Sequence, residues 1–364
     1  MAFVQLVIFV AIAIFFYQKR MQKYKNLPPG PFALPLVGSI PFLKGKGGPV
    51  GWMVDESLYE YGKDFCTIWM GMIPFIWVQD FDLTKELFAK EEFSDRMDEW
   101  YFRNIKGCYG RALGIGAESG RFWQDQRRFA LKHLRGLGFG KQSLDTAVQG
   151  EAKDTIDTLI KKANKDKHKN VCIDDGFFNF AVVNVLWQIV ATDKLDPEDE
   201  EKQRIVQMLC KFNRKGHRLV DFVSIFRPFV PYDDGDRNVF TLKDTIRQQV
   251  YEHERLLNEG SEPKDFMDIY LKEIESEKKK YGPQYSHKVS DFHIEQLVGI
   301  CLDFFAAGSE TTSTTLSWGL MYFALNQEVQ RKFQKEIDEV LGGRYFHKNL
   351  YIGITQKTLN STFN

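Results

Sequence analysis

Trp123 and Arg127 stand four residues apart in Trp123-Gln124-Asp125-Gln126-Arg127-Arg128. On a helix that spacing puts them on one face. Indole N–H and guanidinium are both donors, suited to an anionic group such as a carboxylate. The plainer alternative is a surface cation–π pair worth about 0.5–1 kcal/mol. Arg96, in Phe93-Ser94-Asp95-Arg96, is a further loop cation whose ordinary partners would be Asp95 or Asp98. A third stretch, 290–325, is apolar through Phe304-Phe305-Ala306-Ala307. It breaks at Gly308-Ser309-Glu310-Thr311-Thr312-Ser313-Thr314-Thr315 and turns apolar again at Leu316 and Trp318. A carboxylate and hydroxyls inside an apolar helix are costly unless used or satisfied. Gly308 costs roughly 1 kcal/mol against alanine there. In return it permits close approach of a flat ligand, or a local widening of the helix. Two shorter helices, with Gly308 ending one and Ser309 or Thr311 capping the next, fit the pattern equally.

These residues need helices to hold them. Helical spacing recurs at 55–61, 82–90, 121–135, 143–163, 176–192, 198–213, 239–258, 264–278, 291–325 and 327–341. Ser290 is the expected cap of the long helix, with Asp291 at its positive end. Phe65–Met70 and Phe75–Gln79 are β-rich runs joined by Gly71-Met72-Ile73-Pro74, a hairpin signal. The fold class is therefore mainly α with a small β-domain.

Residues 1–17, MAFVQLVIFVAIAIFFY, hold Gln5 as their one strongly polar side chain. About 17–25 such residues cross a bilayer. Lys19, Arg20, Lys23 and Lys25 follow, which keeps the next segment in the cytosol. A cleaved signal peptide would carry its basic residues first and a small-residue cleavage site after, and neither is present. The expectation is an uncleaved membrane anchor at 1–17, then a basic flank and proline-rich hinge at 18–31. Residues 222–231 form a second apolar stretch, either membrane-touching or a plain buried loop. The 49 basic residues balance 49 acidic ones, which removes an electrostatic case for nucleic acid. Five scattered cysteines without a CxxC argue against a disulfide scaffold.

Taken in order, the PPGP hinge behind an anchor, FSDR, WQDQRRF and AAGSETTSTTLSW resemble the microsomal branch of the cytochrome P450 family. The last motif is the most specific. The resemblance implies a cytochrome P450-like fold and a heme cofactor. It implies that Arg96, Trp123 and Arg127 hold the heme propionates. It places Ala307 and Gly308 over the porphyrin, Glu310 and Thr311 in a proton relay to iron-bound dioxygen, and Phe304 and Phe305 at the pocket of a small apolar substrate. It implies an electron-donating reductase partner and an endoplasmic reticulum membrane location, with the body cytosolic.

The resemblance stops at about residue 343. Residues 32–343 read as an incomplete cytochrome P450-like domain, truncated after the helix that follows the central one, and 344–364 as a non-family tail. Glu118/Arg121, Glu201/Arg204, Glu252/Arg255 and Glu328/Arg331 match E-x-x-R, but too early. None of Cys66, Cys108, Cys172, Cys210 or Cys301 sits in an F-x-x-G-x-R-x-C-x-G loop. The thiolate pushes electron density onto iron and favours O–O cleavage. The expectation is thus a monooxygenase lineage in a chain that is inactive for want of the cysteine ligand. The rivals are a non-catalytic, membrane-bound truncated form and an unrelated membrane-tethered helical binding protein.

Overall fold

The computed structural model describes residues 22–43, 56–97, 100–138, 144–167, 176–192, 194–214 and 229–341, with isolated residues at 17, 19, 171 and 173. Of the expected anchor at 1–17 only Tyr17 is described; most of the 222–231 patch and the 344–364 tail lie outside the described residues. The chain divides into two compact units, residues 1–101 with 216–232, and residues 102–215 with 233–364.

The first unit holds the hairpin. Strands β1 (Phe65–Met70) and β2 (Ile73–Val78) pair antiparallel, with Met70 opposite Ile73 and Trp69 opposite Pro74. The turn is Gly71-Met72 alone, two residues shorter than the sequence suggests, because Ile73 and Pro74 belong to the strand. Gly71 supplies the positive φ that a two-residue turn demands. Pro74 is tolerated because the pair next to the turn-closing one exchanges no hydrogen bonds. Pro28 and Pro29 are bound to β1. Their carbonyls accept the Thr67 hydroxyl at 2.7 Å and the Thr67 N–H at 2.9 Å. A Cβ on Gly30 would lie 1.8 Å from the Thr67 carbonyl oxygen, so only glycine lets this segment dock on β1. Helix α1 (Phe81–Phe88) follows, capped by Asp80.

The second unit is helical: α2 (Gly120–Gly136), α3 (Asp145–Lys165), α4 (Asn179–Ala191), α5 (Glu200–Arg214), α6 (Asp234–Asn258), α7 (Phe266–Tyr281), α8 (Ile294–Leu325) and α9 (Gln327–Leu341). The 32-residue α8 packs against α4, α5, α6, α7 and α9. Its first half is buried nearly all round, from Gln296 to Asp303. Phe305 stacks on Trp187 of α4 at 4.9 Å between ring centroids. Gln126 ties α2 into this body, accepting the Tyr270 hydroxyl at 2.7 Å and donating to the Asp291 carbonyl at 3.2 Å. Among the described residues, no helix is long and apolar enough to cross a membrane.

The long helix starts three residues later than its Ser290 signal. His293 is the cap, its Nδ1 accepting the Gln296 N–H at 3.2 Å. Ser290 instead donates to Glu277 at 2.7 Å, and the acid in the first turn is Glu295, held by Arg247 at 2.7 and 2.9 Å.

Candidate functional site

Helix α8 is continuous through the hydroxyl cluster, so of the two readings of Gly308 the broken helix is ruled out. The hydroxyls cause no break because they are satisfied locally. Thr311, Ser313, Thr315 and Ser317 each donate to the carbonyl four residues back, at 2.7–3.0 Å. Gly308 permits close approach of a neighbouring helix. A Cβ there would stand 2.6 Å from Leu186 Cδ1 on α4.

Within its second half α8 presents an open face. Ala307, Thr311, Thr314 and Thr315 are exposed, and so are Trp318, Tyr322 and Leu325 further along. These positions recur at helical spacing and form one stripe. Glu310 lies beside the stripe, half-buried, and accepts the Thr314 hydroxyl at 3.5 Å. Ala307, Glu310 and Thr311 are thus brought together. Phe304 and Phe305 are not on the open stripe. Phe305 is fully buried against Trp187, and the Phe304 ring meets Phe266 edge-on at 5.2 Å.

The two donors on α2 do share a face, but their arrangement is the plainer one. The Trp123 indole N–H donates to the Ile115 carbonyl at 2.8 Å, and the Arg127 guanidinium lies 5.3 Å from the Trp123 ring centroid. Arg127 remains exposed. Arg96 belongs to the other unit, where it donates to the carbonyls of Ser94 and Asp95.

A polar seam passed unnoticed in the sequence. Asp303 Oδ2 accepts the N–H groups of Ile115 and Gly116 at 2.7 and 2.8 Å, and Oδ1 pairs with Lys106. Gln296, two turns earlier, bonds Gly114 through both halves of its carboxamide. This seam fixes the 107–117 loop that leads into α2. The available signal was a lone acid inside the apolar run 297–307.

Heteroatom clusters elsewhere serve the fold. His253, Asp265 and Asp268 bring three donor atoms within 4.8 Å of one another. Their hydrogen bonds make them the N-terminal cap of α7, with Asp265 accepting the Asp268 N–H and Asp268 the Lys264 N–H, both at 2.9 Å.

A helical body around one long helix, whose hydroxyl-rich segment opens onto a bare stripe, agrees with the resemblance. Comparison decides the matter. Residues 28–360 match the family description Cytochrome P450. The chain belongs to the cytochrome P450 family. It is 33% identical over 332 residues to cytochrome P450 2L1 of Panulirus argus, covering 87% of this chain and 63% of that protein. It is 31% identical over 355 residues to cytochrome P450 2C8 of Homo sapiens, covering 93% and 67%. It is 31% identical over 347 residues to cytochrome P450 2J3 of Rattus norvegicus, covering 92% and 64%. The chain spans about two thirds of the length of these relatives. The family match runs on into the stretch from 344 that the sequence sets apart.

Heme is the cofactor of the P450 family. The open stripe around Ala307 and Thr311 fits one side of a flat macrocycle, since nothing larger than a methyl or hydroxyl rises from it there. The described cysteines do not fit the thiolate ligand. Cys66 and Cys301 are buried, and burial pushes both thiols up, Cys301 furthest. Burial also raises the Cys108 thiol, and Glu295 adds to it. Cys210 is buried, with the Asn179 amide 2.7 Å from its sulfur. A ligand needs the thiolate, which burial disfavours at Cys66, Cys108 and Cys301.

Proposed function

We propose that this chain carries the oxygen-side half of a heme-dependent monooxygenase site, acting on a small apolar organic substrate with electrons from a reductase. The observation that carries this reading is the open stripe on α8, with Ala307 and Thr311 exposed and Glu310 beside them. When bound, the heme supplies the activation of dioxygen. The chain's own residues supply position and protons. Ala307 and Gly308 give a flat surface. Arg127, with Trp123 once its N–H leaves the Ile115 carbonyl, supplies donors for propionates. Phe304 and Phe305, packed on Phe266 and Trp187, hold this segment of α8 against its neighbours. Thr311 holds its hydroxyl proton toward the Ala307 carbonyl at 2.9 Å, with the Glu310 carboxylate one residue away.

Because burial disfavours the thiolate at Cys66, Cys108 and Cys301, and no cysteine of the sequence stands in an F-x-x-G-x-R-x-C-x-G loop, we further propose that a polypeptide of these 364 residues does not by itself form a heme–thiolate centre. The apolar run at 1–17 and its basic flank support an anchor in the endoplasmic reticulum membrane, with the body on the cytosolic side.

The relay is tested on a chimera that joins a family-type cysteine-bearing segment after residue 341. Thr311→Ala should retain heme and raise the share of electrons lost to hydrogen peroxide severalfold. Unchanged coupling of oxygen use to product would make Thr311 a helix-satisfied hydroxyl and nothing more.

A further inference from the structure

Asp303 acts at one remove from the candidate site. Its Oδ2 accepts the N–H groups of both Ile115 and Gly116, at 2.7 and 2.8 Å. Two successive N–H groups turned on one oxygen form a small anion nest. Glycine makes the approach possible. Gly114 has a φ of +93°, and a Cβ there would lie 2.1 Å from Asp303 Oδ2. Lys106 pairs with the other oxygen, Oδ1.

The Gly116 N–H and the Ile115 carbonyl are the two ends of one planar peptide group, and they point in opposite directions. At the far end that carbonyl accepts the Trp123 indole N–H at 2.8 Å. One peptide therefore joins a buried carboxylate of α8 to the half-buried indole of α2. A charged acceptor at the N–H end polarises the group and strengthens its carbonyl as an acceptor.

We infer that Asp303 is a positioning residue for Trp123. It fixes the 115–116 peptide, and that peptide keeps the indole N–H in place until a stronger, charged acceptor takes it. A carboxylate is such an acceptor. The link to the monooxygenase site rests on the reading of Trp123 as a propionate donor, whereas the clamp on the indole does not.

The test uses NMR of the 364-residue chain, isotope-labelled at its tryptophan indole nitrogens. Seven tryptophans give seven indole N–H signals, and Trp123→Phe identifies the one in question. In the unaltered chain, which needs no variant to fold, the Trp123 proton should be protected from exchange. The variant is Asp303→Asn with Lys106→Met, which removes both charges of the pair. A neutral acceptor makes a hydrogen bond about half as strong as a charged one. The Trp123 proton should therefore move upfield, and its exchange should quicken about tenfold relative to the other indoles. A loss of stability alone quickens exchange everywhere and leaves the folded-state shift in place. A Trp123 signal unmoved in the variant, or exchange in the unaltered chain as fast as that of free indole, would overturn the inference. Metal-free protoporphyrin IX and its dimethyl ester test the donor reading separately. Displacement of the Trp123 signal by the acid and not by the ester supports that reading. Equal effects of the two overturn it, while the variant still decides the clamp.

Discussion

Gln296 and Gly114 are joined like neighbouring strands. The Gly114 N–H donates to Gln296 Oε1 at 3.0 Å, and Gln296 Nε2 donates to the Gly114 carbonyl at 3.0 Å. One side chain of α8 thus satisfies a buried loop backbone that has no ladder of its own. Gly299 lets the loop come this near, since a Cβ there would lie 2.8 Å from the Gly114 nitrogen. Replacing Gln296 by Leu strands both backbone groups. We expect a loss of about 2 kcal/mol in urea unfolding. Amide exchange should speed up at 113–116 before it does elsewhere. Exchange that rises evenly along the chain would contradict the local role.

Asp303 continues the same seam and carries its charge. Asp303→Asn keeps the shape but leaves Lys106 buried beside a neutral amide. Removing one partner of a buried pair costs about 3 kcal/mol or more. The double variant Asp303→Asn with Lys106→Met should recover a large part of that loss. Equal stability of the single and double variants would show that the loss does not come from an unpaired Lys106.

The cap of α8 titrates in an informative window. Burial, with His287 nearby, lowers the His293 imidazole from 6.5 to about 4. Between those values the unfolded chain binds a proton that the folded chain does not, so stability rises with pH there. The contribution is full above about 6.5 and is lost as pH falls toward 4. Protonation also removes the acceptor for the Gln296 N–H. We expect the unfolding free energy to fall between pH 6.5 and 4 in the parent chain, and to fall less in His293→Asn, which keeps a cap without the titration. Parallel profiles would assign the slope to other groups.

Gly308 tests how α8 meets α4. Alanine would gain about 1 kcal/mol of helix propensity but push against the end of Leu186. The two effects should nearly cancel in Gly308→Ala. In a Leu186→Ala background the clash is gone, and the same change should stabilise by about 1 kcal/mol. A double-mutant cycle without coupling would mean that the two residues do not touch.

Much of this body is legible from hydrophobic spacing, because periodicity records which face of a helix is buried. The ten segments it marks fall on helical elements, with ends shifted by a few residues; the first, 55–61, is a short 3-10 turn at Glu56–Glu60. What spacing cannot see is a partner far away in the chain. Asp303 finds Gly116 across 187 residues, and no local pattern announces it. The start of α8 departs from its sequence signal for a related reason. Ser290 and Asp291 carry the commoner capping side chains, but Glu277 takes the Ser290 hydroxyl, and the buried His293 nitrogen does the capping. The continuity of α8 turned on two features absent from local sequence: the Leu186 contact and hydroxyls folded back on their own carbonyls. On α2 the expected pairing of Trp123 with Arg127 holds as a shared face, while the indole N–H is used by Ile115.

The central claim is that α8 offers the face for heme while none of the described cysteines offers the thiolate. The most direct test is the reduced carbon-monoxide difference spectrum of the 364-residue polypeptide with heme supplied. The account predicts no thiolate-type band from this polypeptide, and such a band once a cysteine-bearing family segment follows residue 341. A thiolate-type band at near-stoichiometric heme in the 364-residue polypeptide itself, lost on a single Cys→Ser substitution, would contradict it.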